Sequence, residues 1–148
     1  MSNILRQHNL ITHSPDETIV LGAKLAKELK PGSIICLFGD LGAGKTTLVK
    51  GFAKGLRLKA DDVHSPTFTL LNIYEGKGRR TLYHFDLYRL AESSEIELLG
   101  YEEFLYGQGL SVIEWPERLG QLMPKEYIRI ELSHRAEFER GISIKEVK

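Results

Sequence analysis

The sequence lacks the features that mark secreted and membrane-spanning proteins. Its single cysteine, Cys36, allows no disulfide within the chain and lies in an apolar run, where a buried thiol is expected. No apolar stretch approaches the length of a membrane-spanning helix, and the N-terminal residues lack the apolar core of a signal peptide. We therefore expect a cytoplasmic protein that has no membrane partner.

An excess of charge of either sign is also absent. The 20 lysine and arginine residues equal the 20 aspartate and glutamate residues in number, so the formal net charge is zero. Proteins that hold nucleic acid by themselves are usually basic, so this balance argues against a DNA partner and against direct binding of RNA. The length of 148 residues suits a single domain, spanning 1–148, with one hydrophobic core.

The most informative stretch runs from Gly39 to Thr46 and fits the phosphate-binding pattern G-x-x-x-x-G-K-[ST]. The apolar run 33–38 before it predicts a buried parallel strand, and residues 46–54 after it predict a helix with one apolar face. Glycines in such a loop let backbone N–H groups approach a polyphosphate, and the helix N-terminus favours the same anion. The residues expected to bind the nucleotide are Gly39, Asp40, Leu41, Gly42, Ala43, Gly44, Lys45, Thr46 and Thr47.

Two acidic residues are candidates for facing Mg2+ or the attacking water beside the phosphates. Asp86 ends the predicted strand 81–86, and Glu114 ends another apolar run at the carboxyl edge of the sheet, where open α/β sheets build their sites. From the residues alone, either Glu114 or Asp86 could be the carboxylate that faces Mg2+. Two structural alternatives stay open: Asp86 could cap the next turn, and Glu114 could be a surface acid paired with Arg118.

The remaining patterns predict an α/β fold with a mixed sheet. An edge strand over 9–13 is followed by a helix that Ser14 caps and that ends before Pro31. Strand patterns also predict one hairpin before Asp86 and an antiparallel hairpin at the C-terminal end, and two short helices flank Gly100. We expect a single-domain P-loop NTPase whose mixed central sheet is flanked by helices and carries antiparallel hairpins at its edges.

Four segments, taken in order and at their spacing, resemble the bacterial TsaE (YjeE) family. They are the phosphate loop 39–47, Ser-Pro-Thr-Phe at 65–68, His-Phe-Asp-Leu-Tyr-Arg-Leu at 84–90, and Ile-Glu-Trp-Pro-Glu at 113–117. The resemblance covers nearly the whole chain. It implies a Mg2+-dependent ATPase of tRNA threonylcarbamoyladenosine biosynthesis that works with the TsaD and TsaB proteins and resets their transferase complex after turnover. The tRNA would then be reached only indirectly, through that complex.

The resemblance also implies roles for individual residues. Lys45 would hold the phosphates of ATP, and Thr46 and Glu114 would hold Mg2+. Asp86 would position or activate the hydrolytic water, and Thr67 would sense the γ-phosphate or its metal from a switch segment.

Two further residues bear on this resemblance. Trp115 is similar to a family aromatic that would lie at the site wall or at a partner surface, and core packing is an equally good explanation for it. Arg57 departs from the family pattern, because many members have glycine in its place.

Two other function classes fit the phosphate loop. A small-molecule or nucleoside kinase would need an acceptor pocket and an arginine-bearing lid, for which 148 residues leave little chain. A nucleotide-dependent binding switch would use the same site with negligible turnover. A small GTPase is disfavoured, because the sequence has no Asn-Lys-x-Asp segment that would read guanine.

Overall fold

A seven-stranded mixed sheet with the strand order β1-β7-β6-β2-β5-β4-β3 organises the protein. The computed structural model describes residues 8–40, 42–59, 61, 63–64, 70–76, 80–90, 96–97 and 100–148. The elements in chain order are β1 His8–Thr12, α1 Pro15–Glu28, β2 Ile34–Phe38, α2 Lys45–Gly55, β3 Leu71–Tyr74, β4 Leu82–Asp86, α3 Tyr101–Leu105, β5 Leu110–Glu114, a 3-10 helix Pro116–Leu122, β6 Tyr127–His134 and β7 Arg140–Val147. The α/β fold class predicted from the sequence, including its antiparallel edge hairpins, is confirmed.

The strand β2 lies in the middle of the sheet, parallel to both of its neighbours, β5 and β6. Its first four residues are buried, as expected of an apolar strand that is covered on both faces. The strand β4 is in turn parallel to β5, so β2, β4, β5 and β6 all end at the same edge of the sheet. That edge is where the phosphate loop and both candidate acids are found.

The helices α1 and α2 pack against each other without intervening side chains at their closest point. A Cβ added to Gly51 would lie 2.4 Å from the backbone oxygen of Ile19, and one added to Gly22 would lie 2.7 Å from that of Leu48. Glycine is the one residue that permits this approach. Because α2 follows the phosphate loop directly, its contact with α1 also positions that loop.

The N-terminus of α1 is capped by Ser14, as predicted. The Ser14 side chain accepts a hydrogen bond from the Glu17 backbone N–H at 3.1 Å, and Pro15 occupies the first helical position. The predicted capping box differs in one contact, because the Glu17 carboxylate accepts from the backbone N–H of His13, at 2.9 Å, instead of that of Ser14. The Glu17 side chain therefore reaches one residue beyond the N-cap, to the residue that precedes Ser14.

Several predicted features fall outside the described residues. These are the switch segment 65–68 with Thr67, residue Leu41 of the loop, and most of the helix expected before Gly100. The helix expected after Gly100 is observed as α3. None of the helices in the described part of the chain has the length and apolar character needed to span a membrane.

Candidate nucleotide-binding site

The phosphate loop connects the carboxyl end of β2 to the first turn of α2. Gly44 precedes that turn with a left-handed φ of +99°, and Gly39 has a φ of +146°. A Cβ at Gly39 would also lie 2.7 Å from the backbone oxygen of Leu132 in β6, so this position requires glycine on two grounds. The loop therefore has the backbone shape that directs N–H groups toward an anion at the start of a helix.

Lys45, the first residue of α2, points its ammonium group across the loop. The side chain is 5% exposed, and Nζ donates a hydrogen bond to the backbone oxygen of Gly39 at 2.7 Å. Nζ also lies 4.0 Å from the centroid of the Trp115 ring, within cation–π distance. An ammonium group has three donors, so two remain for phosphate oxygens.

Burial lowers the pKa of Lys45, and the nearby carboxylates of Glu114 and Asp86 oppose that shift. A lysine held in this way gains an electrostatic partner when a polyanion binds beside it, because the anion favours the charged form.

Asp86 and Glu114 end adjacent parallel strands and face each other directly in the β4–β5 register. Glu114 is 3% exposed, so the alternative of a surface acid paired with Arg118 is wrong. The Arg118 guanidinium instead donates to the backbone oxygen of Leu90 at 3.5 Å. The strand β5 therefore delivers a buried carboxylate to the edge of the sheet that carries the phosphate loop.

Asp86 is half-buried and takes part in a turn of the backbone. Its carboxylate accepts a hydrogen bond from the backbone N–H of Tyr88 at 3.0 Å, so the turn-capping contact considered from the sequence is present. Burial raises the pKa of Asp86, an effect that the Tyr88 hydrogen bond opposes and the charge of Glu114 reinforces. A carboxylate with a raised pKa is a better proton acceptor, and one oxygen of Asp86 can still face a ligand while the other caps the turn.

His84 is a site residue that the sequence reasoning missed. Its ring is fully buried, and Nε2 contacts the Glu114 carboxylate oxygen Oε2. Among the residues that the structure describes, its Nδ1 is the one buried side-chain polar atom without a hydrogen-bond partner. A signal was present, because residues two apart on a strand share a face, and this places His84 behind Asp86.

Trp115 forms one wall of the site. It follows β5 with a left-handed φ of +57°, which turns its half-buried ring toward Lys45 and to within 5.0 Å of the Tyr88 ring, measured between centroids. These contacts match the site-wall location considered from the sequence, and the core packing considered there is present as well, because Trp115 also packs against buried hydrophobic residues.

Arg140 joins the C-terminal hairpin to the phosphate loop. One guanidinium nitrogen donates to three backbone oxygens of the β6–β7 turn, including that of Glu139 at 3.0 Å, and the other donates to Gly42 of the loop at 3.5 Å. Beside it, Phe138 is 60% exposed at the rim of a small recess whose lining also includes Pro15, Gly44 and Thr47. No sequence pattern singled out Arg140, which lies 98 residues from Gly42.

Comparison with known proteins decides the family. A family profile described as "Threonylcarbamoyl adenosine biosynthesis protein TsaE" matches residues 12–142. The chain belongs to the TsaE family. The resemblance noted from the four sequence segments is therefore confirmed.

Relatives in the TsaE family match most of the chain. The tRNA threonylcarbamoyladenosine biosynthesis protein TsaE of Bacillus subtilis (strain 168) is 40% identical over 139 residues, which span 94% of this chain and 85% of the relative. The protein of the same name from Treponema pallidum (strain Nichols) is 41% identical over 134 residues, spanning 90% and 97%. A crystal structure of Bacillus subtilis YdiB superposes with a TM-score of 0.79 at 34% identity and covers 99% of this chain and 90% of that one.

The site fits a magnesium ion that is shared with a nucleotide. In the described part of the chain, no group of three or more His, Cys, Asp or Glu side chains gathers to hold a metal by itself. Mg2+ in nucleotide sites is usually held by one or two carboxylates together with phosphate oxygens and water. Thr46 at the start of α2 and Glu114 at the end of β5 supply donors of that kind, and His84 occupies one oxygen of Glu114.

Proposed function

We propose that this TsaE-family chain binds ATP with Mg2+ and hydrolyses it in support of tRNA threonylcarbamoyladenosine biosynthesis. The observation that carries the proposal is the arrangement of Lys45, Asp86 and Glu114 at one edge of the sheet. A buried ammonium group beside a glycine-rich loop faces two carboxylates that end neighbouring parallel strands. A phosphate clamp, a metal-side acid and a residue that positions the attacking water are recurring parts of enzymes that transfer phosphoryl groups to water, and these three side chains can supply them.

Each residue has a separate role in this proposal. Lys45 uses its two remaining donors on the β- and γ-phosphate oxygens, and loop N–H groups hold the same phosphates. Mg2+, when bound through Thr46 and Glu114, offsets negative charge on the phosphates. Asp86 orients the attacking water and accepts its proton, a task for which its raised pKa suits it. Thr67 is proposed to sense the γ-phosphate from the switch segment.

The base of the nucleotide is proposed to lie in the recess between the start of α1 and the C-terminal hairpin. The lining of this recess includes Gly44 and Thr47 of the phosphate loop, so one nucleotide would place its base in the recess and its phosphates on the loop. The exposed ring of Phe138 offers a face on which a purine can stack, and Arg140 ties that hairpin to the loop.

The partners follow from the family. The names of the relatives place them in tRNA threonylcarbamoyladenosine biosynthesis, and we propose that TsaD and TsaB carry out the chemistry on the tRNA. Hydrolysis by this chain would then reset the TsaB–TsaD complex after each turnover. We expect hydrolysis by the chain alone to be slow, because an ATPase that resets a complex is needed only when it is bound to that complex.

The test is phosphate release from ATP, measured for the protein alone and together with purified TsaB and TsaD. We expect slow release alone, stimulation by the pair, and loss of both in Lys45→Ala. The matched control is Lys54→Ala, which removes an exposed cation from the same helix and should leave release unchanged. Binding of ATP with no release, even in the presence of both partners, would contradict hydrolysis and favour a nucleotide-dependent binding switch.

A small-molecule or nucleoside kinase is the second candidate, and one observation favours it. A cavity of about 520 Å³ lies on the other side of the loop, with Asp40, Trp115 and Arg129 in its lining. It is large enough to admit an acceptor molecule. Phosphate transfer to an added nucleoside or sugar at a rate well above transfer to water would establish this function in place of hydrolysis.

A further inference from the structure

A second cleft, separate from the phosphate loop, gathers positive charge. It has a volume of about 440 Å³, and its lining includes Lys27, Lys30, Arg57 and Arg80. No carboxylate of the described residues lines it, and none of these four side chains forms an ion pair within that part of the chain. Within the described residues these four cations have no counter-charge, which makes them a local excess in a protein whose formal net charge is zero. We call these four residues and the space between them the basic cleft.

The basic cleft lies at the sheet edge opposite the nucleotide site. Its lining includes Pro31, just before β2, and Leu110, the first residue of β5, so it sits at the amino ends of the parallel strands. The phosphate loop follows the carboxyl end of β2, and five strand residues separate the two edges by roughly 16 Å. The basic cleft is therefore spatially separate from the nucleotide site.

Arg57 occupies a backbone conformation that favours glycine. Its φ is +62°, and it follows α2 in the left-handed position of a helix-ending motif. The backbone N–H of Leu58 donates to Ala53 O at 2.8 Å, and the N–H of Arg57 donates to Lys54 O at 3.0 Å. Within the described residues the guanidinium makes no hydrogen bond or ion pair that would offset this strain. A strained residue whose side chain makes no such contact among the described residues is a candidate for binding a partner outside the fold.

The floor and rim of the basic cleft have different chemistry. Leu29, Leu56 and Leu110 contribute apolar surface to the lining, and the four lysine and arginine residues contribute positive charge. RNA presents the matching alternation of phosphates and flat base faces. The planar guanidinium groups of Arg57 and Arg80 suit phosphate oxygens, which they can bind through two donors at once.

We propose that the basic cleft binds the phosphate backbone of RNA. The choice of tRNA as that RNA rests on the proposed function, whereas the cleft itself does not depend on ATP hydrolysis. The proposal departs from the expectation that tRNA is reached only through the partner proteins. That expectation came from the family resemblance and was supported by the net charge, which does not report how charges are distributed over a folded surface.

The test is the binding of fluorescently labelled tRNA, followed by anisotropy at several salt concentrations. We expect Lys27→Ala combined with Arg57→Gly to weaken tRNA binding about 10-fold, and the slope of log affinity against log salt to fall by roughly one for each cation removed. The matched control is Lys24→Ala, which removes an exposed lysine one turn earlier in α1 and outside the cleft. It should bind tRNA as the wild type does.

A second readout separates binding from folding. Arg57→Gly should raise Tm, because glycine adopts a φ of +62° without a Cβ penalty, so weaker tRNA binding by this variant cannot be attributed to unfolding. Equal weakening by Lys24→Ala, or no tRNA binding by the wild type at low salt, would overturn the proposal. Tight binding of polyglutamate with no binding of tRNA would overturn it in favour of an acidic protein segment.

ATP binding is measured on the same variants and should be unchanged. If the wild type binds ATP but not tRNA, the proposal that the basic cleft binds RNA is wrong and the proposed ATPase function stands. If the wild type binds tRNA but not ATP, the proposed ATPase function is wrong and the RNA-binding proposal stands.

Discussion

Removing the His84 imidazole should destabilise the protein, by an amount that the structure allows us to estimate. His84 is fully buried and contacts Glu114, which is 3% exposed. Removing the partner of a buried carboxylate leaves that group uncompensated, at a cost of about 3–5 kcal/mol. His84→Ala also removes the unpartnered Nδ1, which offsets about 1–3 kcal/mol of that cost. The net loss is about 2 kcal/mol, which corresponds to a fall in Tm of about 4–8 °C for a domain of this size.

The assay is thermal and urea unfolding of four proteins: wild type, His84→Ala, Glu114→Gln and the double variant. Because the two side chains touch, their effects should not add, and the cycle should give a coupling energy of about 1.5–3 kcal/mol. His13→Ala is the control, since its contact with Glu139 at 3.4 Å joins two exposed side chains and should change stability by less than about 0.5 kcal/mol.

Two results would refute this reasoning about the pair. An unchanged or higher Tm for His84→Ala would show that the orphan nitrogen costs more than the contact contributes. Additive effects of the two single variants would show that His84 does not hold the Glu114 carboxylate in place.

Two further predictions concern the site and its support. Asp86→Asn should raise Tm at pH 7, because burial raises the pKa of Asp86 and the stability associated with its protonated form is lost as pH rises through that raised value. The advantage of asparagine should shrink toward pH 4, and an equal advantage at both pH values would contradict it. Gly51→Ala should lower Tm: helix propensity favours alanine by about 0.5–1 kcal/mol, but a Cβ placed 2.4 Å from the Ile19 backbone oxygen should cost about 1–3 kcal/mol. A higher Tm for Gly51→Ala would show that α1 can move aside.

The parts of the site that sequence predicted well are those fixed by local chemistry. The phosphate loop depends on glycines and a lysine that are adjacent in the chain, and the apolar runs before it and before Glu114 mark where strands end. Parallel strands bring such ends together without further information, so the convergence of Lys45, Asp86 and Glu114 could be anticipated.

The features that were missed depend on contacts between distant segments. His84 meets Glu114 through the register of β4 on β5, and Arg140 reaches Gly42 across 98 residues of chain. The basic cleft likewise joins the ends of two helices with residues near the start of three strands. Strand periodicity places His84 on the same face as Asp86, but neither periodicity nor composition records which distant residues meet, because that depends on how the whole sheet and both helices are assembled.

Calorimetric titration of Mg2+ and ATP into the purified protein tests the central claim most directly. The account predicts saturable binding at one site, loss of that binding in Lys45→Ala, and its retention in Lys54→Ala, which keeps the same helix but loses only an exposed cation. Binding that survives Lys45→Ala unchanged would place the nucleotide somewhere other than the phosphate loop. That result would contradict the site from which the proposed function is derived.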